Sequence, residues 1–261
     1  MNIFERIQHK FRNRKEAPEP VDHNPLWEYF SHNPGRLIDK WHHYFDIYHA
    51  HFRRYRGQWV SVLEIGVAHG GSLQMWKKYF GPRAKIYGLD INPDCKMLEE
   101  SQIEIFIGDQ SDREFLRQLV EKAGPFDVVL DDGGHTATQQ IATFEALFPT
   151  VTDTGIYIVE DLHTSYWKNY GGGYKESGSF IEYAKGFIDS INAWHSREPG
   201  FAPDHLTRSL ASIHFYDSML VLEKQPRPAK PETSMTGKRS FEYLYSPFGV
   251  HNDAKNRKPD K

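Results

Sequence analysis

Cysteine is almost absent: Cys95 stands alone among 261 residues. A lone cysteine cannot close an intrachain disulfide, which fits a reducing cytoplasm. It also excludes zinc and iron–sulfur sites built on several thiolates. Long apolar runs are missing too. No stretch approaches the ~20 residues of a membrane span, and the opening MNIFERIQHKFRNRKEAPEP lacks the continuous apolar core of a secretion signal. Neither sign of charge dominates. The 32 Lys and Arg against 35 Asp and Glu leave a net charge of −3, whereas domains that grip a nucleic-acid backbone are usually clearly basic; no nucleic-acid partner is expected. There is no phosphate-loop GxxxxGK[ST], no dinucleotide GxGxxG and no nucleophile-elbow GxSxG.

What is present suffices for a core: 39% hydrophobic residues, of which many are aromatic. The length suggests one large domain with appendages. Residues 1–21 are charged and close with Pro18, Glu19 and Pro20, and residues 225–261 carry Pro226, Pro228 and Pro231; both read as arms. Tyr243, Tyr245 and Phe248 could pin part of the second. Within residues 1–20, Ile3, Phe4, Ile7 and Phe11 share a helical face beside Arg6, Lys10, Arg12, Arg14 and Lys15. That pattern allows peripheral membrane contact, though three turns favour a solvated arm. Residues 22–57 read as a helical segment. Leu37, Trp41, Tyr44, Phe45, Tyr48, Phe52 and Tyr55 fall on one face, predicting a helix from Leu37 to Arg56 that stops at Gly57. Its His42, His43, His49 and His51 read as a solvated face rather than a metal cluster.

Residues 58–224 alternate strand and helix. WVSVLEI, KIYGLD, IEIFIGD, FDVVLDD and GIYIVED are short β-branched or aromatic runs, separated by stretches of helical periodicity. This pattern predicts an α/β, Rossmann-like doubly wound sheet, mostly parallel. SIHFY and MLVLEK, two residues apart, predict a C-terminal antiparallel hairpin. Ligands of such sheets bind outside the carboxyl ends of the strands. That rim holds Glu64, Asp90, Asp109, Asp131, Asp132, Glu160 and Asp161.

The first strand runs into GVAHGG. Gly66 and Gly70 would let the backbone approach a ligand closely, but Ala68 stands where a dinucleotide fingerprint needs its second glycine, which counts against NAD or FAD. Asp90 ends the second strand, where an acid can accept ribose hydroxyls. The motifs VLEIGVAHGGS, YGLDINP, IGDQSD and VLDDGGH, in that order, resemble class I S-adenosylmethionine-dependent methyltransferases. IVEDLHTSYW and DKWHHYFDIYHAHF narrow the resemblance to the metal-dependent O-methyltransferases of macrolide sugars and bacterial polysaccharides, and to cephalosporin hydroxylase-like proteins. It spans roughly residues 36–224. It implies that Glu64, Gly66, Asp90 and Asp109 surround S-adenosyl-L-methionine, with Asp90 at the ribose and Asp109 near the adenine. It also implies a homo-oligomer.

Asp132 and His135 follow the fourth strand, and Glu160 and Asp161 the fifth. Three carboxylates brought together repel unless a cation lies between them. Mg²⁺ takes such oxygen ligands and leaves positions for water or a diol. The resemblance likewise puts a metal at Asp132, Glu160 and Asp161. His135, three residues past Asp132, is the expected catalytic base; His163 is the weaker candidate. Tyr166 and Trp167 read equally as a sugar-stacking face or as core, and Gly171, Gly172 and Gly173 as a lid or a plain loop. The expected activity is Mg²⁺-assisted O-methylation of a sugar hydroxyl on a glycan or glycosylated small molecule. The alternatives are a metal-dependent hydroxylase or oxygenase, disfavoured because non-haem iron prefers two His and one carboxylate, and a non-catalytic cofactor-binding subunit.

Overall fold

The structure is a computed structural model that describes residues 24–234 and Thr236. The arm 1–20 and Tyr243, Tyr245 and Phe248 lie outside the described residues. Contacts divide the chain into Met1–Lys230 and Pro231–Lys261, and the sheet and its cavities belong to the first unit.

Seven strands form one sheet: β1 (Val60–Ile65), β2 (Ala84–Asp90), β3 (Ile103–Ile107), β4 (Phe126–Asp131), β5 (Val151–Val159), β6 (Leu210–Tyr216) and β7 (Met219–Lys224). Their order is β3-β2-β1-β4-β5-β7-β6. The first five are parallel, and β7 pairs antiparallel with β5 and β6. The expected sheet and hairpin are both present. Strand order reverses between β1 and β4, where a doubly wound sheet opens its ligand crevice.

Successive strand residues face opposite sides, so the sheet feeds two cores. Val62, Ile86, Val128 and Ile158 pack under α1 (Pro25–Ser31), α2 (Tyr44–Phe52) and α3 (Gly71–Phe80) with Tyr48, Phe52, Trp76 and Phe80. Leu63, Val129, Tyr157 and Leu222 pack under α4 (Arg113–Ala123), α5 (Ala137–Leu147) and α6 (Phe180–Asn192) with Leu116, Phe144 and Phe187. A short α7 (His205–Ser209) leads into β6. Side-chain caps fix the helix starts: Asp112 accepts from the amides of Glu114 and Phe115, and Thr136 forms a capping box with Gln139.

The predicted helix from Leu37 to Arg56 is half right. Regular α-helix covers only Tyr44–Phe52, followed by a 3₁₀ turn at Arg53–Tyr55. Residues 37–41 are irregular and pass over the start of α3, where a Cβ on Gly71 would lie 2.3 Å from the Leu37 carbonyl oxygen. Leu37 and Trp41 fit the helical spacing yet are 63% and 56% exposed. His51 is not on a solvated face. It is buried, with Nδ1 2.9 Å from Glu223 and Nε2 3.0 Å from the Tyr216 hydroxyl.

Candidate active site

Two cavities open at the carboxyl ends of the strands. The first, about 390 Å³, lies over the β1/β4 switch point and is lined by Gly66, Ala68, Asp90, Asp109, Asp132 and His135, among others. The second, about 620 Å³, is lined by Asp39, Lys40, Trp41, His42, His43, Tyr44, Asp132, Glu160 and Asp161. Asp132 belongs to both walls.

The switch point is built by close backbone approach. Gly66 has φ +91°, and a Cβ there would sit 2.0 Å from the Asp132 carbonyl oxygen; the Asp132 amide donates to the Ile65 carbonyl at 2.9 Å. Buried Gln110 shapes the next turn. Its amide nitrogen donates to Asp131 at 3.0 Å and its oxygen accepts from the Gly134 amide at 2.7 Å. Burial pushes the Asp131 carboxyl up to about 7.

Asp90 is partly committed to the loop above it. Its Oδ2 accepts from the amides of Val67 and Ala68 at 2.8 and 3.1 Å, and Oδ1 accepts from Asn92 at 2.8 Å. A carboxylate oxygen with one donor retains acceptor capacity, so Oδ1 can also receive a ligand hydroxyl. Asp109 is exposed on the wall, turned around Ser111. Glu64 and Gly70 lie off the lining. Gly70 caps α3 in the left-handed region, and Glu64 is fully buried beneath, where its Oε2 accepts from Ser72 at 2.8 Å.

The second cavity brings Asp132, Glu160 and Asp161 together. Tyr48 donates to Glu160 Oε1, and the Tyr44 hydroxyl lies 2.8 Å from Asp161 Oδ1. His135 Nε2 is 3.8 Å from Asp132 Oδ1 and 3.7 Å from Asp161 Oδ2. Asp132, His135 and Asp161 make a group compact enough to hold a metal ion. His163 Nδ1 is 2.6 Å from the Ser218 hydroxyl, and its ring lies against Trp41 and Trp167. Tyr166 and Trp167 are 48% and 47% exposed, so they are not core. The glycine run is an ordered turn: Gly172 is buried, its amide donates to the Trp167 carbonyl, and a Cβ there would sit 2.2 Å from the Ser165 carbonyl oxygen. Ala68, His135, Asp161 and Ser218, all bordering the site, adopt positive φ despite being non-glycine, the kind of strain that clusters at functional sites.

The acids are not bare. Lys40, its side chain 4% exposed, donates to Asp132 and, at 3.1 Å, to Glu160 Oε2, and lies 3.7 Å from Glu64 Oε1. Burial alone would lower its pKa, but Asp132, Glu160 and Glu64 together hold it well above the ordinary value. Burial pushes Glu64 up to about 7, against the pull of Lys40. Burial and the Asp132 charge likewise raise Glu160. Lys40, Tyr44, Tyr48, Gln110 and Ser218 were not among the expected site residues. Lys40 lay within DKWHHYF, where it interrupts an aromatic and histidine-rich run.

Among the described residues the fold is that of a class I methyltransferase domain of the Rossmann-like type. Residues 63–162 match the family described as "Methyltransferase domain". The chain is 41% identical over 188 residues to mycinamicin VI 2''-O-methyltransferase of Micromonospora griseorubida, covering 68% of this chain and 47% of that one. It is 39% identical over 204 residues to demethylmacrocin O-methyltransferase of Streptomyces fradiae, covering 72% and 51%. It is also similar to the solved MycE methyltransferase in complex with Mg, SAH and mycinamycin VI, with TM-score 0.72 and 33% identity over 87% of this chain and 63% of that one. The chain spans about half the length of the curated relatives it matches.

Proposed function

We propose that the chain is an S-adenosylmethionine-dependent, Mg²⁺-assisted O-methyltransferase of a sugar hydroxyl on a glycan or glycosylated small molecule. The observation that carries this reading is Asp132, one carboxylate in the wall of both cavities. A donor at the switch point and an acceptor beside the acids would meet there.

Both absent groups fit the residues present. For the cofactor, the backbone at Gly66 leaves no room for a side chain, and Asp90 and Asp109 offer acceptors along the same wall. For the metal, an ammonium already stands among the carboxylates as a cation would, and the donors are mostly hard oxygens, which suit Mg²⁺. When bound, S-adenosylmethionine supplies an electrophilic methyl group, and a cation at Asp132, Glu160 and Asp161 supplies Lewis acidity toward a hydroxyl oxygen.

The chain's own residues do the rest. His135 Nε2 faces Asp132 and Asp161 and receives the proton as the acceptor oxygen takes the methyl group. Tyr44 and Tyr48 fix Asp161 and Glu160 from α2. Trp41 and Trp167, half exposed around His163, offer ring faces to an acceptor with an apolar body. The substrates for which its relatives are named, mycinamicin VI and a rhamnosyl tetracenomycin C, support that acceptor class.

An oxygenase fits less well, because the compact group holds one His and two carboxylates. The same reading places the enzyme in the cytoplasm as a homo-oligomer. The free, buried Cys95 supports the cytoplasmic part of that reading; no helix among the described residues is long and apolar enough to cross a membrane.

The test is to incubate the full chain with S-adenosylmethionine, Mg²⁺ and a panel of glycosylated macrolides, and to follow methylation by mass spectrometry. Methyl transfer that stops in excess chelator is expected. No transfer, together with no calorimetric binding of S-adenosylhomocysteine, would overturn the reading.

A further inference from the structure

Lys40 belongs to no strand or helix of the sheet. It comes from the irregular segment that precedes α2. Its side chain nevertheless ends among acids from three separate strand ends: Glu64 in β1, Asp132 after β4 and Glu160 after β5. Three carboxylates and one ammonium leave a charge excess of −2 if all are ionised. Buried like charges repel strongly at these distances, so without a cation the three acids would drive the strand ends apart or take up protons.

Two further details give this arrangement a direction. Asp132 divides its oxygens: Oδ2 meets Lys40, and Oδ1 faces His135 beside Asp161. The Glu64 Oε1 atom, 3.7 Å from the ammonium, is buried and makes no well-formed hydrogen bond, with the Trp76 side chain near the same carboxyl. A buried acceptor so poorly paired is costly, and this one lies within a short side-chain movement of Lys40. The ammonium therefore has a second place to go when it leaves Asp132.

We propose that Lys40 is a resident counter-ion of the carboxylate cluster, a positioning residue that holds Asp132 and Glu160 assembled in the absence of a divalent cation and yields both when that cation binds, withdrawing to Glu64. The proposal rests on the metal-assisted reading above. It makes cation binding an exchange of charges rather than an addition. The site stays assembled while empty, and the protein holds its divalent cation less tightly than the bare carboxylates would.

The test is calorimetric titration of Mg²⁺ into the full chain and into Lys40→Met, together with thermal melts of both in chelator and in saturating Mg²⁺. The variant should bind Mg²⁺ at least about tenfold more tightly, because a competing charge is gone. It should also melt lower than wild type in chelator and gain more on adding the cation. A lysine with a merely structural role would leave affinity unchanged or weaken it, and either result overturns the proposal. If wild type binds Mg²⁺ and the variant binds it no more tightly, only the Lys40 proposal falls. If neither binds, the metal-assisted reading fails and Lys40 falls with it. Should Lys40→Met not fold, the wild-type protein still decides. With labelled lysine, the Lys40 side-chain methylene resonance, assigned by its loss in Lys40→Arg, should shift on saturation with Mg²⁺; a resonance that stays in place overturns the exchange.

Discussion

Asp131 offers a measurement of the electrostatic load carried by the strand ends. It is 1% exposed, immediately precedes Asp132, and accepts from the Gln110 amide at 3.0 Å. Burial raises its carboxyl from 3.8 to about 7 in the folded protein. The native state therefore keeps a proton that the unfolded chain has already released. Stability from this group is full below about pH 4, falls as pH climbs toward 7, and is flat above. Three pH units at 1.36 kcal/mol each make the load about 4 kcal/mol at pH 8, of which about 3 kcal/mol accrues between pH 5 and pH 8. Asp131→Asn keeps the shape and the acceptor for Gln110 but cannot ionise. Its stability relative to wild type should rise by about 3 kcal/mol from pH 5 to pH 8, or about 6–12 °C in Tm for a domain of this size. Melts of both proteins at several pH values in chelator read this directly. Glu64, also raised to about 7, titrates in both proteins and cancels in the difference. A difference that does not change with pH would refute the reasoning.

Replacing His135 with Ala should lower kcat by about two to four decades with S-adenosylhomocysteine affinity unchanged; a loss confined to Mg²⁺ affinity would make it a ligand beside Asp132 and Asp161 instead. Gly66→Ala forces a Cβ toward the Asp132 carbonyl at a positive φ and should cost at least about 2 kcal/mol in urea unfolding; an unchanged midpoint would show that the loop relaxes freely. Trp41→Ala combined with Trp167→Ala should raise the acceptor KM about tenfold, as expected when ring contacts are lost, and leave kcat within a factor of about two; an unchanged KM would remove both rings from acceptor binding. Sedimentation of the purified chain should give a mass above the 30.4 kDa of one chain, and a monomer at micromolar concentration would refute the expected homo-oligomer.

The strands were legible because each is a short run bounded by turn residues, and because the same runs end in acids. That pattern places Asp90, Asp109, Asp132, Glu160 and Asp161 on one rim, and the structure puts them along the two cavities there. What each acid touches was not legible. Glu64 and Glu160 end their strands alike, yet Glu64 is sealed beneath Ser72 while Glu160 meets Tyr48 and Lys40. Tyr48 and Lys40 lie 112 and 120 residues upstream of Glu160, and no local pattern connects them.

The helix prediction failed for a related reason. Periodicity counts apolar spacing, and Leu37 and Trp41 satisfy it. But continuing the helix through Leu37–His43 would remove Lys40 from the acids and carry Trp41 away from His163. The observed chain gives up that helix and leaves two large apolar side chains exposed, a loss that packing alone does not explain. The unwound segment 39–43, with exposed Trp41, forms part of the wall of the larger cavity. Of the positive-φ residues, Asp161 lines that cavity and His135 the smaller one beside it. Where propensity, burial and backbone strain are all sacrificed around one group of carboxylates, the arrangement of those carboxylates is what the local sequence serves.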